Sequence, residues 1–319
     1  MARTLRIAYL MDPLGGIDIE KDTTFAFLLE SQSRGHLNFV MGPADLAIRR
    51  GIPEARVQQV EVQRVAGDHY SLAAPTRETL ESFDVVMLRK DPPFDMSFFF
   101  DTHVASLIDA KKTLVLNRPS GLRDANEKLY ALRFPEIIPE SLVTGDADLL
   151  KEFLHELGGE MIIKPLDGCG GAGIFHLQEQ DRNLNAILET ATDEGRIRVM
   201  AQRYLPEVRE GDKRIIVIDG EPLGAVLRVP NEGDHRSNFH VGGSAVRSDL
   251  TDRDREICAH MADDLRRDGL IFVGLDVIGG YLTEVNVTSP TGIQEIDQLC
   301  GTNLAAHLID WIEQHAGEN

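Results

Sequence analysis

A glycine-rich segment between two apolar runs restricts the possible folds more than any other part of the sequence. The stretch IIKPLDGCGGAGIFHL contains Gly168, Gly170 and Gly173 in the spacing G-x-G-x-x-G. In a dinucleotide-binding fold these glycines lead directly into a helix. Here they are followed by Ile174 to Leu177, which favour a strand. The pattern therefore predicts a loop between two strands, and Lys164 just upstream suggests phosphate as a ligand of that loop.

Composition and charge exclude several classes of function. The chain has 319 residues, of which 42% are hydrophobic, enough for two or three domains with a buried core. Its formal charge of −19 disfavours binding to nucleic acid or to an anionic membrane surface. The three cysteines contain no C-x-x-C spacing, so neither a disulfide framework nor a zinc site is indicated. No apolar run reaches the ~18 residues of a membrane span, and we expect a cytoplasmic protein.

The order of apolar runs predicts three domains. Residues 1–123 alternate short strands with amphipathic helices, which is typical of an α/β domain with a largely parallel sheet. Residues 124–200 read as a small α+β lid domain, in which Asp124 or Asn126 is placed to cap a first helix. Residues 201–319 contain two predicted hairpins, with turns at Asp219-Gly220 and Gly279-Gly280. The fold class is therefore α/β followed by α+β.

Two groups of polar residues could carry chemistry. Glu284 and Asn286 are two apart on a predicted strand and share a face, and with Asp276 they offer only oxygen atoms, which suit a hard cation such as Mg²⁺. The alternative to a metal site is an acidic strand face that is simply exposed to solvent.

Lys164 and Arg214 interrupt apolar strands, where a buried charge needs a partner such as a bound anion. Ordinary salt bridges or surface cations remain the alternative for each of them.

Taken together, several segments resemble the ATP-grasp ligases, and more closely the bacterial glutathione synthetases. They run in family order from about residue 10 to about residue 296, and the most specific are RKDPPFD, KPLDG-x-GG and LTE-x-NVTSP. The resemblance implies that the N-terminal parallel-sheet α/β domain is followed by an ATP-grasp fold of two antiparallel-sheet subdomains. It also implies that ATP lies between these two subdomains.

The resemblance implies a role for individual residues around ATP. Lys128 and Lys164 would hold the α and β phosphates. Gly168, Gly170 and Gly171 would belong to the glycine lid over the phosphates. Gln202, Tyr204 and Leu205 would belong to the hinge that meets adenine, and Asp212 would contact the ribose. The implied ligands of Mg²⁺ or Mn²⁺ are Glu284, Asn286 and Asp276.

The resemblance also implies the residues that act on the other substrates. The catalytic residues would be Arg214, Arg228 and Lys164, and Arg214 would lie beside the phosphoryl group that is transferred from ATP. The segments that would bind the dipeptide and form the closing loop contain Arg89, Arg228, Arg236, Asn238 and Ser289. Phe239 and His240 depart from the small residues expected in that loop.

The implied reaction is the ATP-dependent ligation of γ-glutamylcysteine and glycine to glutathione through an acylphosphate, with release of ADP and phosphate. Both the glycine lid and residues 231–244 would then exclude water, and we expect both to be poorly ordered without ligands. The family also implies a homo-oligomer. Two alternatives remain, an ATP-grasp ligase for other substrates and a nucleotide-binding module without turnover.

Overall fold

The first sheet of the molecule is built around four parallel strands. The computed structural model describes residues 3–168, 170–230 and 244–317. Residues Arg6–Met11 (β1), Leu37–Met41 (β2), Val85–Arg89 (β7) and Leu114–Leu116 (β8) pair in parallel in the order β2-β1-β7-β8. β1 and β7 are almost continuously apolar because both of their faces are buried. The helices of this part of the chain are Thr23–Ser33 (α1), Met96–Ala105 (α2) and Pro119–Asp124 (α3).

Four further strands extend this sheet beyond β2, and the sequence pattern did not predict them. They are Leu46–Arg49 (β3), Ile52–Val62 (β4), Tyr70–Leu72 (β5) and Thr76–Thr79 (β6). β4 pairs antiparallel with β2, β3, β5 and β6, so the complete sheet has eight strands and is mixed. The prediction of an α/β domain with a parallel sheet is confirmed for the central strands only.

The second sheet is antiparallel and small. Residues Ser141–Thr144 (β9), Glu160–Pro165 (β10), Phe175–Gln178 (β11) and Val199–Arg203 (β12) lie in the order β11-β10-β12-β9. Helices Ala147–Glu156 (α4) and Leu184–Ala191 (α5) complete this layer, and Leu150 and Leu154 of α4 share its core with Met161 and Ile163 of β10. Because β12 pairs with β9 and β10, the boundary predicted between residues 200 and 201 falls inside a strand of this sheet.

The third sheet contains both predicted hairpins. Its order is β15-β14-β13-β16-β17, formed by Asp212–Ile218 (β13), Glu221–Val229 (β14), Ser244–Ser248 (β15), Phe272–Ile278 (β16) and Tyr281–Asn286 (β17). The turns lie at Asp219-Gly220 and Gly279-Gly280, and all four residues have positive φ. Helix Asp252–Asp268 (α6) begins at the capping residue Thr251 and ends at Gly269 in the left-handed conformation. Helices Ile293–Cys300 (α7) and Leu304–His315 (α8) follow, and α8 packs against α1.

The segment after α3 does not form the helix that Asp124 or Asn126 was predicted to cap. The helix lies earlier, and Asp124 is its last residue. Asn126 instead stabilises a turn, since its Oδ1 accepts from the backbone amides of Lys128 (3.1 Å) and Leu129 (3.0 Å). The Nδ2 of Asn126 donates to the Leu166 carbonyl at 2.9 Å. This turn holds residues 126–128 against the strand that precedes the glycine loop.

Asn117 joins the first sheet to the third. Its side chain is buried, and Oδ1 accepts from the amides of Ile271 (2.9 Å) and Phe272 (3.0 Å). Its Nδ2 donates to the carbonyls of Phe272 (2.9 Å) and Val287 (2.8 Å). One amide side chain therefore satisfies four backbone groups at this junction.

We expect Asn117→Ala to lower the free energy of unfolding by about 3–5 kcal/mol, because it leaves these buried backbone groups without partners. Urea denaturation followed by circular dichroism measures the change. Asn183→Ala is the matched control, since Asn183 is exposed. Equal stability of the two variants would show that Asn117 does not hold the sheets together.

No helix among the described residues combines the length and the apolar character that crossing a membrane requires.

Candidate active site

A cavity of about 270 Å³ lies between the second and third sheets. Its walls are formed by β10, the glycine loop and the end of β12 on one side and by β13, β16 and β17 on the other. The structure brings together at this cavity most of the residues predicted to contact ATP, together with two of the predicted metal ligands: Lys128, Lys164, Gly168, Gly170, Gly171, Gln202, Tyr204, Leu205, Asp212, Asp276 and Glu284. The position predicted for the nucleotide, between two antiparallel layers, is where this cavity lies.

Two buried lysines lie close to one carboxylate at the floor of the cavity. The Lys128 Nζ donates to Glu284 Oε1 at 2.9 Å and to the Gly168 carbonyl at 2.6 Å. Lys164 projects from β10, and its Nζ donates to the Thr283 carbonyl at 3.2 Å. Burial lowers the pKa of Lys164 to about 8, although the nearby Glu284 carboxylate opposes this shift. A buried ammonium group whose pKa is depressed gains stability when an anion such as phosphate binds beside it.

Three oxygen-bearing side chains meet where β16 pairs with β17. Asp276 lies directly opposite Glu284 in the strand register, and the Asn286 Nδ2 donates to Asp276 Oδ2 at 3.2 Å. In residues 3–168, 170–230 and 244–317, no three His, Cys, Asp or Glu side chains are grouped as a ready metal site. The candidate donors are therefore two carboxylates and one amide, all oxygen, and this donor set fits a hard divalent cation that also takes phosphate oxygens.

Two arginines neutralise the acidic groups behind this cluster. The Arg214 Nε and Nη2 bind both oxygens of Asp276, and the Arg228 Nη2 lies 2.9 Å from Asp276 Oδ2 and also contacts Asp212. Although burial alone raises the pKa of Asp276, the two guanidinium groups hold it far below its usual range. Both oxygens of Asp276 are thus engaged by arginine. Glu284 and Asn286 are therefore better placed than Asp276 to bind a metal.

The opposite end of the cavity is apolar and suits a purine ring. Its walls include Ile162, Ile174, Val208 and Ile278. Tyr204 and His176 stack with their ring centroids 3.9 Å apart. β12 ends at Arg203, so the backbone that carries Tyr204 and Leu205 has left the strand and lies along the cavity. Gln202 points away from solvent, and its Nε2 donates to the Ser141 hydroxyl at 2.8 Å.

Two of the residues predicted to bind the dipeptide, Arg89 and Ser289, lie in a different place, where the first sheet meets the third. Arg89 is buried at the end of β7, and it donates to Thr24 Oγ1 (3.0 Å) and to the Pro290 carbonyl (3.2 Å). Its Nη1 has no hydrogen-bond partner within the described residues. Burial lowers the pKa of Arg89 to about 10. Ser289 lies beside it, with its Oγ 3.5 Å from the Arg89 carbonyl.

Several predicted features fall outside the described residues. They are Arg236, Asn238, Phe239, His240 and residues 231–243 of the closing loop, together with Cys169 of the glycine loop. The expectation that both loops are poorly ordered without ligands stays a prediction.

Glu127 lies directly beside the candidate site, and the sequence pattern did not reveal it. It follows Asn126 in the turn after α3, and its carbonyl accepts from the Val285 amide at 2.8 Å. Burial, and then the charge of Glu284, raise the pKa of the Glu127 carboxyl to about 7. Its position directly before Lys128 is a signal in the sequence, but the pairing with β17 that buries it is a long-range contact that no local pattern predicts.

Comparisons with known proteins match nearly the whole length of the chain. A family model described as the N-terminal domain of prokaryotic glutathione synthetase matches residues 5–123, and one described as the ATP-grasp domain of the same family matches residues 127–301. A protein of Brucella melitensis biotype 1 named glutathione synthetase is 50% identical over 309 residues, covering 97% of this chain and 98% of that protein. A glutathione synthetase of Mesorhizobium japonicum is 48% identical, with the same two coverages.

Solved structures with low sequence identity show the same fold. The ATP-grasp ligase PsnB, complexed with a phosphomimetic variant of its minimal precursor, Mg and ADP, has a TM-score of 0.66 and 19% identity, and the alignment covers 99% of this chain and 100% of that chain. The D-cycloserine synthetase DcsG has a TM-score of 0.64 and 16% identity, with 96% and 99% covered. The predicted fold class, an α/β domain followed by an ATP-grasp fold, is confirmed.

Proposed function

This chain belongs to the prokaryotic glutathione synthetase family, and we propose on that basis that its cavity binds ATP for the ligation of γ-glutamylcysteine to glycine. The protein is an ATP-dependent ligase that makes glutathione. The observation that carries the proposal is the cavity of about 270 Å³ between two antiparallel sheets, with Lys128 and Lys164 at the same end as Glu284. This arrangement matches a nucleoside triphosphate. The cations and the carboxylate at one end suit its phosphates and their metal ion, and the apolar slot at the other end suits its base.

The two lysines would hold the phosphates in place. The Lys128 ammonium already lies 2.6 Å from the Gly168 carbonyl and 2.9 Å from Glu284, so it connects the glycine loop to the third sheet. Gly168, Gly170 and Gly171 would cover the phosphates from above. Adenine would occupy the apolar end beside Tyr204 and Leu205, and Asp212 would contact the ribose.

The enzyme uses a divalent metal ion, and we propose that this ion is Mg²⁺ or Mn²⁺. Glu284 and Asn286 would hold it, with Asp276 beside them. When bound, the metal supplies positive charge that neutralises the phosphate oxygens. The all-oxygen donor set supports this choice, because oxygen ligands select hard cations, whereas zinc and copper favour thiolate and imidazole ligands.

The chemistry requires positioning and charge neutralisation but no protein nucleophile. A carboxylate oxygen of the cysteinyl residue attacks the γ-phosphorus of ATP, and the bond to ADP breaks. The amine of glycine then attacks the acylphosphate carbon, loses a proton, and displaces phosphate. Arg214 is held by Asp276, which lines the cavity, and we propose that it stabilises the negative charge on the phosphoryl group during its transfer. Arg228 supports it through the shared Asp276 carboxylate.

On the dipeptide side, we propose that Arg89 and Ser289 bind the substrate, with Arg236 and Asn238 in the closing loop. The unpartnered Nη1 of buried Arg89 supports this role, because within the described residues nothing else satisfies it and a carboxylate of the dipeptide would.

The experiment that tests the function is phosphate release by the purified protein with Mg-ATP, with each substrate alone and with both. We expect release that requires γ-glutamylcysteine and glycine together, and mass spectrometry should identify the tripeptide. Turnover with other carboxylates and amines would favour a different ATP-grasp ligase. ATP binding without turnover would favour a non-catalytic module.

We propose three further properties of the protein. The domains are 1–123, 124 to the end of β12, and the remainder, a division that the three separate sheets support. Homo-oligomerisation is supported by Met96 and Phe100, two large apolar side chains exposed on α2. A cytoplasmic location is supported by the thiol of its substrate, which stays reduced there.

A further inference from the structure

Two stacked rings from neighbouring parts of the second sheet line the nucleotide cavity. His176 lies on β11 and Tyr204 directly follows β12, and both side chains face the cavity. Their ring centroids are 3.9 Å apart and their planes differ by 20°, so the rings lie face to face. Neither residue belongs to the phosphate or metal end, and the function of the imidazole is not explained by the groups that contact phosphate.

The alternation of side chains along the strands places His176 on the cavity face of the second sheet. Leu177, the next residue of β11, belongs to the core shared with α4 and α5, so His176 points to the other face. In the strand register His176 lies directly opposite Ile162, which is two residues before Lys164 on β10. The cavity face of β10 therefore carries Glu160, Ile162 and Lys164 in that order, and His176 lies at the level of the apolar slot.

Glu160 fixes the imidazole from the side away from Tyr204. The Nε2 of His176 lies 2.7 Å from Glu160 Oε1, and the same oxygen accepts from Gln178 Nε2 at 3.3 Å. The side chain of Glu160 is 43% exposed, whereas that of His176 is 17% exposed. A carboxylate beside one ring nitrogen sets the orientation of an imidazole. The ring of His176 is thus held between a partly exposed carboxylate and the ring of Tyr204.

The stack is the contact that holds the ring of Tyr204. Tyr204 is buried, and its hydroxyl has no hydrogen-bond partner among the residues that the structure describes. The backbone of Tyr204 and Leu205 is the part of the chain that leaves β12 and lies along the cavity. A shift of the Tyr204 ring would therefore move the backbone beside which we place adenine.

Resting on the proposed function, we propose that His176 is a positioning residue for the nucleotide base. Oriented by Glu160, it holds the ring of Tyr204 and thereby keeps residues 204–205 where they receive adenine. The role is separate from phosphate binding, because Lys128 and Lys164 make their contacts with Glu284 and the Thr283 carbonyl at the other end of the cavity. Loss of the imidazole should consequently weaken ligands that carry the base and leave the chemical step unchanged.

The test compares ADP with inorganic tripolyphosphate as competitive inhibitors of ATP in His176→Ala. We expect the inhibition constant for ADP to rise about 3- to 10-fold, which is the contribution of one aromatic pair. The constant for tripolyphosphate should stay within about twofold, because this ligand has phosphates and no base. The KM for ATP should rise by the same factor as the constant for ADP, while kcat stays within about twofold.

His176→Phe and His155→Ala complete the comparison. Phenylalanine keeps a flat ring that can stack on Tyr204, so His176→Phe should recover most of the affinity for ADP that His176→Ala loses. His155→Ala is the matched control, since His155 on α4 pairs with Glu179 at 3.0 Å on the outer surface of the same layer and is 79% exposed. Its constants for both inhibitors should equal those of the wild type. Thermal melting of each variant establishes that it is folded.

The two inhibitors also separate failure of this inference from failure of the proposed function. An unchanged inhibition constant for ADP in folded His176→Ala would overturn the positioning role. An equal loss of affinity for ADP and tripolyphosphate would overturn it as well, because a general disturbance of the cavity affects both ligands. Wild-type protein that neither turns over ATP nor binds ADP would instead overturn the proposed function.

Discussion

Glu284→Gln is expected to lower kcat by about 10³-fold or more while the protein stays folded. Glu284 accepts from Lys128 and faces Asp276 across the strand pair, so it is the anionic donor most available to a metal ion at the phosphate end of the cavity. Glutamine keeps the size of the side chain but removes its charge. A loss of about 4 kcal/mol of transition-state stabilisation corresponds to this factor and is within what one metal contact supplies.

The measurement is the rate of ADP formation as a function of Mg²⁺ concentration. Glu221→Gln serves as the matched control, because Glu221 lies on β14 of the same sheet and is exposed. The control should keep the wild-type rate and the wild-type dependence on Mg²⁺. A Glu284→Gln enzyme with a near-normal rate at ordinary Mg²⁺ concentration would remove Glu284 from the metal site.

Lys164→Met is expected to lower kcat/KM for ATP by about 10²- to 10⁴-fold. Lys164 is buried on β10, and among the described residues its ammonium group donates to the Thr283 carbonyl. A phosphate group would give this ammonium a strong ionic partner, so its removal should weaken both nucleotide binding and phosphoryl transfer. Lys151→Met is the matched control, since Lys151 lies on α4 of the same layer with its side chain 41% exposed.

We also expect Lys164→Met to change how the free energy of unfolding depends on pH. Burial places the pKa of Lys164 at about 8, below its ordinary value of 10.5. The unfolded chain therefore binds more protons than the folded one between these values, and wild-type stability should rise with pH from about 8 to 10.5 as this cost is relieved. Lys164→Met should lack this rise and should be no less stable than the wild type near pH 7. Urea titrations of both proteins at pH 7 and pH 10 give the comparison, and parallel changes would contradict it.

Local chemistry in the sequence predicted both hairpin turns correctly, whereas the helix cap predicted at Asp124 or Asn126 was wrong. Asp219-Gly220 and Gly279-Gly280 were predicted as hairpin turns because such turns require positive φ, and the observed φ values are 49°, 78°, 56° and 80°. The ends of α6 at Thr251 and Gly269 are set by effects of the same local kind, namely side-chain capping and the left-handed conformation. The strands β3–β6 were missed although Ala55 and Val57, and again Val60 and Val62, are buried at the two-residue spacing of a strand.

The site itself depends on contacts far apart in the chain. Lys128 and Glu284 are separated by 156 residues and meet only because residues 126–128 run beside β17. The pairing of Arg214 with Asp276 follows from the register of β13 against β16, which no periodicity reveals. Family resemblance placed these residues in one site, whereas charge and spacing alone favoured ordinary salt bridges. Glu127 was missed for the same reason, since its burial arises from that distant strand.

The measurement that tests the central claim most directly follows the oxygen atoms of the donor. The wild-type enzyme is supplied with Mg-ATP, glycine and γ-glutamylcysteine whose cysteinyl carboxylate carries ¹⁸O, and the released phosphate and the tripeptide are analysed by mass spectrometry. Transfer of one ¹⁸O atom to each phosphate, with the other retained in the new amide, is the predicted result, because the carboxylate attacks phosphorus and phosphate leaves with its oxygen. Phosphate that contains no ¹⁸O would contradict the acylphosphate route and the proposed roles of Lys164, Arg214 and Glu284.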